Sequence, residues 1–260
     1  MPSFIYRFSN LTILFFFIVA IAVALNVIPI IIHAFYFIAP SEVSNTLGHS
    51  LLSPAASSTG ILIGFLLNQA QMNFREVEGI VNTEATRINN LDRLLLRFGS
   101  DQALAIRTQV KTYIQSIIDD EWPKLFDGEG GHKTHMIWRT ISQNLFKLEP
   151  STPKQLSIYS EIIKISEEVA YSREIRIDRS EKSLPAIFWI VIFVCLVAII
   201  GLNSLFMPTL HFRYGLLILP IIFGGLISLL VITDQPFKGE HSIAPSSLRK
   251  ILLSIETREN

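Results

Sequence analysis

The chain alternates long apolar runs with one charged stretch. No Asp, Glu, Lys or Arg occurs within residues 8–41, 43–74, 183–212 or 214–233. A membrane-spanning helix needs about 20 mostly apolar residues, so each run is long enough to cross a bilayer. The pattern predicts spans over 11–38, 55–71, 186–206 and 214–232. Between the second and third spans, charged and apolar residues alternate at helical spacing. The expectation is an all-α membrane protein with four transmembrane helices and a helical cytoplasmic domain formed by extensions of spans 2 and 3. Its divisions are 1–70 (spans 1 and 2), 71–183 (the cytoplasmic helical domain), 184–234 (spans 3 and 4) and 235–260 (a cytoplasmic tail).

The spans differ in kind. The first carries Phe15, Phe16 and Phe17. Ala20, Ala22 and Ala24 resemble a cleavage pattern, but the apolar run continues past them to Phe35, too long for a signal peptide. Pro29 should kink it, because proline removes a helix hydrogen bond. The second span holds Ser57, Ser58, Thr59, Gly60 and Gly64, then Asn68 and Gln69. Small residues permit close helix contact and polar ones want partners or water, so this span belongs at the centre of an assembly. The third is apolar all round and follows Pro185. The fourth carries the Gly224-Gly225 pair, which favours close packing, and a tight hairpin over 207–213 joins the two.

In the middle stretch, Val77, Ile80, Ile88, Leu91, Leu95 and Phe98 recur at helical spacing. The second span therefore runs on to about Phe98, where Gly99-Ser100 ends it. Leu104, Val110, Tyr113, Ile114 and Ile117 mark a helix that Pro123 terminates. Residues 127–131 form a turn-rich loop. A shorter helix covers about 134–146, and Pro153 opens another that runs toward Lys182.

Charge placement sets the orientation. Of the 44 charged residues, 33 lie within residues 75–182. The loop at 39–54 has no Lys or Arg, whereas the middle stretch has 16. The positive-inside rule places both termini and the middle domain in the cytoplasm of a multi-pass protein. A reduced Cys195 within a span agrees with that compartment. Overall, 17% of residues are charged and the net charge is zero, against about 25% charged in a soluble domain. A neutral chain excludes the global basicity of a nucleic-acid binder. One cysteine excludes a disulfide scaffold or a cysteine-rich metal site.

Candidate chemistry is sparse. His132 and His135, with Glu129 nearby, read as a solvated loop rather than a metal pair, since no second ligand cluster accompanies them. Asp119, Asp120 and Glu121 read as an acidic, solvated helix end. His33 lies in the first span, with a functional and an interfacial reading both open. No nucleophile or phosphate-binding motif occurs, so the chain is read as no enzyme and as needing no cofactor or metal. Asn68, Gln69, Gln71 and Asn73 form an amide cluster where the second span meets the cytoplasm. They fit either helix–helix hydrogen bonds or a polar pore mouth. Ile61 and Phe65 share one face a turn above. They fit core packing or, in an oligomer with this span central, stacked apolar rings.

The stretch from Leu62 to Gln69, leading to Phe74-Arg75-Glu76, resembles the second transmembrane helix of bestrophin channels. Closer still is the bacterial bestrophin-like domain family. Its features recur in order here: GFLLNQA, then Glu121-Trp122-Pro123, the Arg-rich run before Leu184-Pro185 and Phe188-Trp189, and finally Asp234-Gln235-Pro236-Phe237-Lys238-Gly239. The resemblance covers roughly residues 57–245. It implies a four-span protomer, a homo-oligomer (a pentamer in bestrophins) and a pore lined by the second helix. Bestrophins conduct anions, or cations in some bacterial members. Their apolar neck uses three positions at helical spacing, which fall here on Phe65, Ile61 and Ser57. Ser57 departs from the large apolar type. Phe74 and Arg75 stand where paired tryptophans are expected. No match to the calcium clasp of animal bestrophins occurs.

The leading expectation is a bestrophin-like ion channel of a bacterial inner membrane. It conducts passively, with anions favoured, past Ser57, Ile61, Phe65 and Asn68. Its partners are its own copies, the lipid bilayer and inorganic ions, with no nucleic acid. The alternative is a non-conducting scaffold or sensor that recruits a partner through its cytoplasmic helices. A secondary transporter ranks last, because paired inverted repeats and broken helices are missing.

Overall fold

The computed structural model describes residues 3–36, 42–206 and 217–258, and among these all regular structure is helical. Apart from a 3-10 turn at Ser3–Arg7, the helices are α1 (Asn10–Tyr36), α2 (Glu42–Phe98), α3 (Asp101–Ser116), α4 (His132–Leu145), α5 (Pro153–Glu181), α6 (Ala186–Asn203), α7 (Ile218–Asp234) and α8 (Ser246–Glu256). The chain forms two compact units. One is Met1–Phe74 with Ser183–His241, and the other is Arg75–Lys182 with Ser242–Asn260.

Among the described residues, three stretches are long and apolar enough to cross a membrane: Asn10–Phe35, Glu42–Phe98 and Pro153–Asn203. The last comprises α5 and α6, which are separated because Lys182 is extended and Pro185 precedes α6. The expected hand-over from cytoplasmic helix to span is therefore a break. The fourth expected span corresponds to α7, with 17 described residues. That is about 25 Å at 1.5 Å per residue. The 214–216 part of that expectation, and the hairpin over 207–213, lie outside the described residues.

One proline expectation comes out differently. The loop expected over 39–54 is helical from Glu42, with Pro54 inside α2. Thr46 and Ser50 return their hydroxyls to the carbonyls of Glu42 and Thr46, which satisfies these groups within the helix. Pro29 lies inside an unbroken α1. It has no N–H to offer the carbonyl of Leu25 one turn back. Asn203 of α6 donates its side-chain amide to that carbonyl at 2.5 Å.

The first unit is apolar outside as well as inside. Leu11, Phe15, Phe35 and Phe193 are exposed. Apolar cover on this scale would make a soluble protein aggregate, and lipid is the solvent it suits. α1 packs against α7 at Gly224, where a Cβ would lie 2.6 Å from the Ile18 Cα. The paired Gly225 meets nothing within 4 Å, so only one member of the expected pair sets the approach.

The second unit has a conventional core. Ile88, Leu91 and Leu95 of α2 bury against Val110, Ile114, Ile141, Val169, Leu248 and Ile255. Each such side chain contributes about 1.5–3 kcal/mol on leaving water. Local signals end the helices where the sequence suggests. Gly99 takes a φ of +75° after Phe98, a conformation glycine adopts without penalty. Ser100 caps α3 by accepting from the Ala103 N–H at 3.1 Å. Thr152 does the same for α5 at Gln155. α3 continues into a π-helical turn at Ile117–Glu121 and a short helical turn at Trp122–Lys124, so helical structure runs through Pro123, the expected stop. α8, which the sequence reading had not resolved from the C-terminal tail, seats Leu248 and Ile255 in the core.

Candidate functional site

In the first unit, α2 has two unlike faces. Thr59, Ile63, Leu66 and Ala70 are buried. Ser57, Ile61, Phe65 and Asn68 lie on the opposite side and are all exposed. Ile61 is 63% and Phe65 71% exposed. Core packing within the protomer is thereby removed as the reading of Ile61 and Phe65. Gly60 and Gly64 border open space, since a Cβ on either would meet nothing within 4 Å. Two amides of the cluster bond along their own helix. Asn68 donates to the Met72 sulfur at 3.7 Å and Gln69 to Asn73 Oδ1 at 3.2 Å. The four residues singled out in the sequence therefore share one uncovered lane on one helix.

In the second unit, the 75–98 stretch of α2 also has an uncovered face. Arg75, Gly79, Thr83, Thr86, Asn90, Arg93 and Arg97 recur on it at helical spacing and are exposed. Among the described residues none of these three guanidiniums has an ion-pair partner. No acidic residue shares the lane.

A buried ion network was not anticipated. Arg176 of α5 reaches Glu84 of α2 through Nε at 2.6 Å and Nη2 at 3.1 Å. The same Nη2 donates to Glu121 at 2.7 Å. Arg173 donates to both Glu121 oxygens, and the Gly131 N–H adds a bond at 2.9 Å. The Arg176 guanidinium lies 5.3 Å over the Trp122 ring, within cation–π range. Glu84, Glu121 and Arg176 are fully buried. The acidic run at 119–121 is thus not uniformly solvated. The π-helical turn points Glu121 inward, while Asp120 pairs with Lys124. A second buried pair joins Asp92 to Arg107 at 2.8 Å, with Arg258 at 2.9 Å.

Burial opposes ionisation of Glu121, but the adjacent Arg176 and Arg173 outweigh it and hold the carboxyl below its ordinary range. A depressed carboxyl contributes stability that is present above the unfolded-state pKa and lost as pH falls through the folded one. The thermal midpoint of the protein should therefore fall as pH drops below the ordinary carboxylate range. Glu121→Gln should lower the midpoint at neutral pH and flatten that acid-side decline. A decline equally steep in the variant would assign it to other carboxyls.

A signal for the network existed. Val77, Val81, Ile88, Leu91, Leu95 and Phe98 follow a regular buried register in α2, and Glu84 occupies the position between Val81 and Ile88. Arg176 likewise sits in the buried register of Ile162, Val169 and Ser172 in α5. A charge at a core position on each of two helices implies a pair. The remaining candidates carry less. His132 and His135 are exposed, and His33 and Cys195 are half-buried. Among the described residues no group of three His, Cys, Asp or Glu is arranged to hold a metal.

No curated protein has a matching sequence. Solved structures do match in fold. A bacterial bestrophin homologue from Klebsiella pneumoniae, with one point mutation, is 14% identical over 94% of this chain and 99% of its own, with a TM-score of 0.69. A second structure of a Klebsiella pneumoniae bestrophin homologue is 13% identical over 95% of this chain and 98% of its own, at 0.67. A crystal structure described as a membrane protein is 13% identical over 94% and 97%, at 0.69. The bestrophin-like domain profile matches residues 13–248. Nearly the whole chain is spanned by that match, and this protein belongs to the bestrophin-like domain family.

Proposed function

We propose that the protein is a homo-oligomeric ion channel in which α2 lines a central pore and anions pass without a cofactor or metal. The protomer spans the bacterial inner membrane four times, with both termini and the charged unit in the cytoplasm, and assembles as a pentamer. The observation that carries this reading is the uncovered lane of Ser57, Ile61, Phe65 and Asn68. A face holding Asn68, Gln69, Ser57 and two glycines is a poor lipid surface, because polar groups in hydrocarbon need partners or water. A water-filled axis between copies supplies the water. Ile61 and Phe65 then form the narrow apolar rings, where dewetting controls passage. Membership of the family supports the same reading.

The proposed sign of the ion rests on charge. Arg75, Arg93 and Arg97 have no ion-pair partner among the described residues, and a lane rich in one sign of charge concentrates counter-ions. Chloride and potassium gradients applied separately to liposomes holding the purified protein test this. Chloride flux is expected. Replacing the three arginines by glutamine should lower that flux several-fold at low salt and much less at high salt, where exposed charges are screened. Absence of flux from correctly inserted oligomer would overturn the channel.

One observation favours the scaffold alternative. A cleft of about 480 Å³ in the second unit is lined by His135, Trp138, Arg173, Glu174 and Asp178, among others. Its mix of indole and charge suits a peptide. Recovery of a stoichiometric soluble partner, lost on closing the cleft with Ala170→Trp, would favour that role.

A further inference from the structure

At the start of α1, a groove of about 340 Å³ is lined by Phe4, Phe8, Phe16 and Phe17, with Ile13 among its lining residues. Phe4, Phe8 and Phe16 are more than half exposed, whereas Ile13 is buried. The lining presents no polar surface.

The groove is held in shape. Tyr6 is buried beside Gly239, where a Cβ would come within 3.6 Å of the Tyr6 carbonyl. The Asn10 N–H donates to Glu240 at 2.9 Å. Ser9 accepts from the Thr12 N–H at 3.2 Å. The 3-10 turn at Ser3–Arg7 is thereby fixed against the first span, and its Phe4 ring stands clear of the protein.

Arg7 is the only Lys or Arg in the first 74 residues. It is exposed and, among the described residues, has no ion-pair partner. It lies in the same turn as Phe4 and directly precedes Phe8. A cation next to an aromatic groove at the head of a membrane helix matches one chemistry: an acyl chain with an anionic headgroup. We infer that this groove retains one acyl chain of an anionic phospholipid whose phosphate is met by Arg7. The inference stands apart from conduction and does not rest on it.

The test uses full-length protein reconstituted in phosphatidylcholine containing a minor fraction of brominated phosphatidylglycerol. Phe16→Trp reports the groove. Phe193→Trp, on an exposed face of α6, reports bulk lipid. Each is read against protein without the added tryptophan. Quenching at position 16 should exceed that at 193 several-fold. Adding Arg7→Gln should bring position 16 down to the bulk level while brominated phosphatidylcholine quenches it as before. Equal quenching at the two positions would overturn the inference. So would failure of either lipid to quench position 16, the sign that a second copy of the chain covers the groove.

Discussion

Phe65→Ala is expected to raise anion flux through the reconstituted protein several-fold, with assembly and helix content unchanged. The ring is 71% exposed in the protomer, so its loss leaves little cavity and costs little of the fold. In the proposed oligomer each copy contributes one phenyl to the same level of the pore. Trimming all of them widens the passage and removes the apolar surface that favours a dry state. Ile61→Ala should act in the same direction and less strongly, since an aliphatic side chain closes less space. Ser57→Ala should change little, because a small side chain there does not narrow the path. Single-channel recording separates the outcomes. An unaltered conductance in Phe65→Ala, from protein that conducts, would take Phe65 out of the constriction and leave Ile61 to be tested alone.

Arg176→Leu is expected to be the most damaging single substitution in the second unit, by about 3–5 kcal/mol. Glu84 has both of its hydrogen bonds from this guanidinium and would be left as a buried, unpaired charge. Glu121 retains Arg173 and the Gly131 N–H, so the harm concentrates at Glu84. Typical domains have only about 5–15 kcal/mol in total, and the variant should melt early or fail to accumulate. The paired change distinguishes a charge effect from a packing one. Glu84→Leu together with Arg176→Leu places an apolar residue at both core positions. Such replacements are often neutral or stabilising, so the double variant should recover most of the thermal midpoint. Persistent instability in the double variant would mean that the shape of the arginine matters more than its charge.

The helical class and the extent of α2 into the charged stretch were legible because hydrophobic spacing reports a helix directly. The same holds for the lane at Ser57, Ile61, Phe65 and Asn68, since residues three and four apart share a face. Proline was misleading at Pro54, where it was read as the end of a loop. A proline inside an apolar helix does not end it, because the membrane setting tolerates proline where the backbone of a soluble helix would break. The acidic run at 119–121 misled for another reason. A π-helical turn adds an extra residue per turn, so Glu121 departs from the direction that regular spacing assigns. Glu84 was the legible clue that went unread. A carboxylate in a core register is informative because burial without a partner is so costly. What single-helix patterns cannot supply is the identity of the partner, because Arg176 is distant in sequence.

The amide of Asn203 bonded to the carbonyl that Pro29 leaves bare has an evolutionary consequence. Each residue alone is a liability inside a membrane, one as a missing donor and the other as a polar side chain. Together they cancel, so neither position is free to drift by itself. Among related sequences, loss of this proline and loss of this asparagine should travel together, marking α1 and α6 as inherited neighbours.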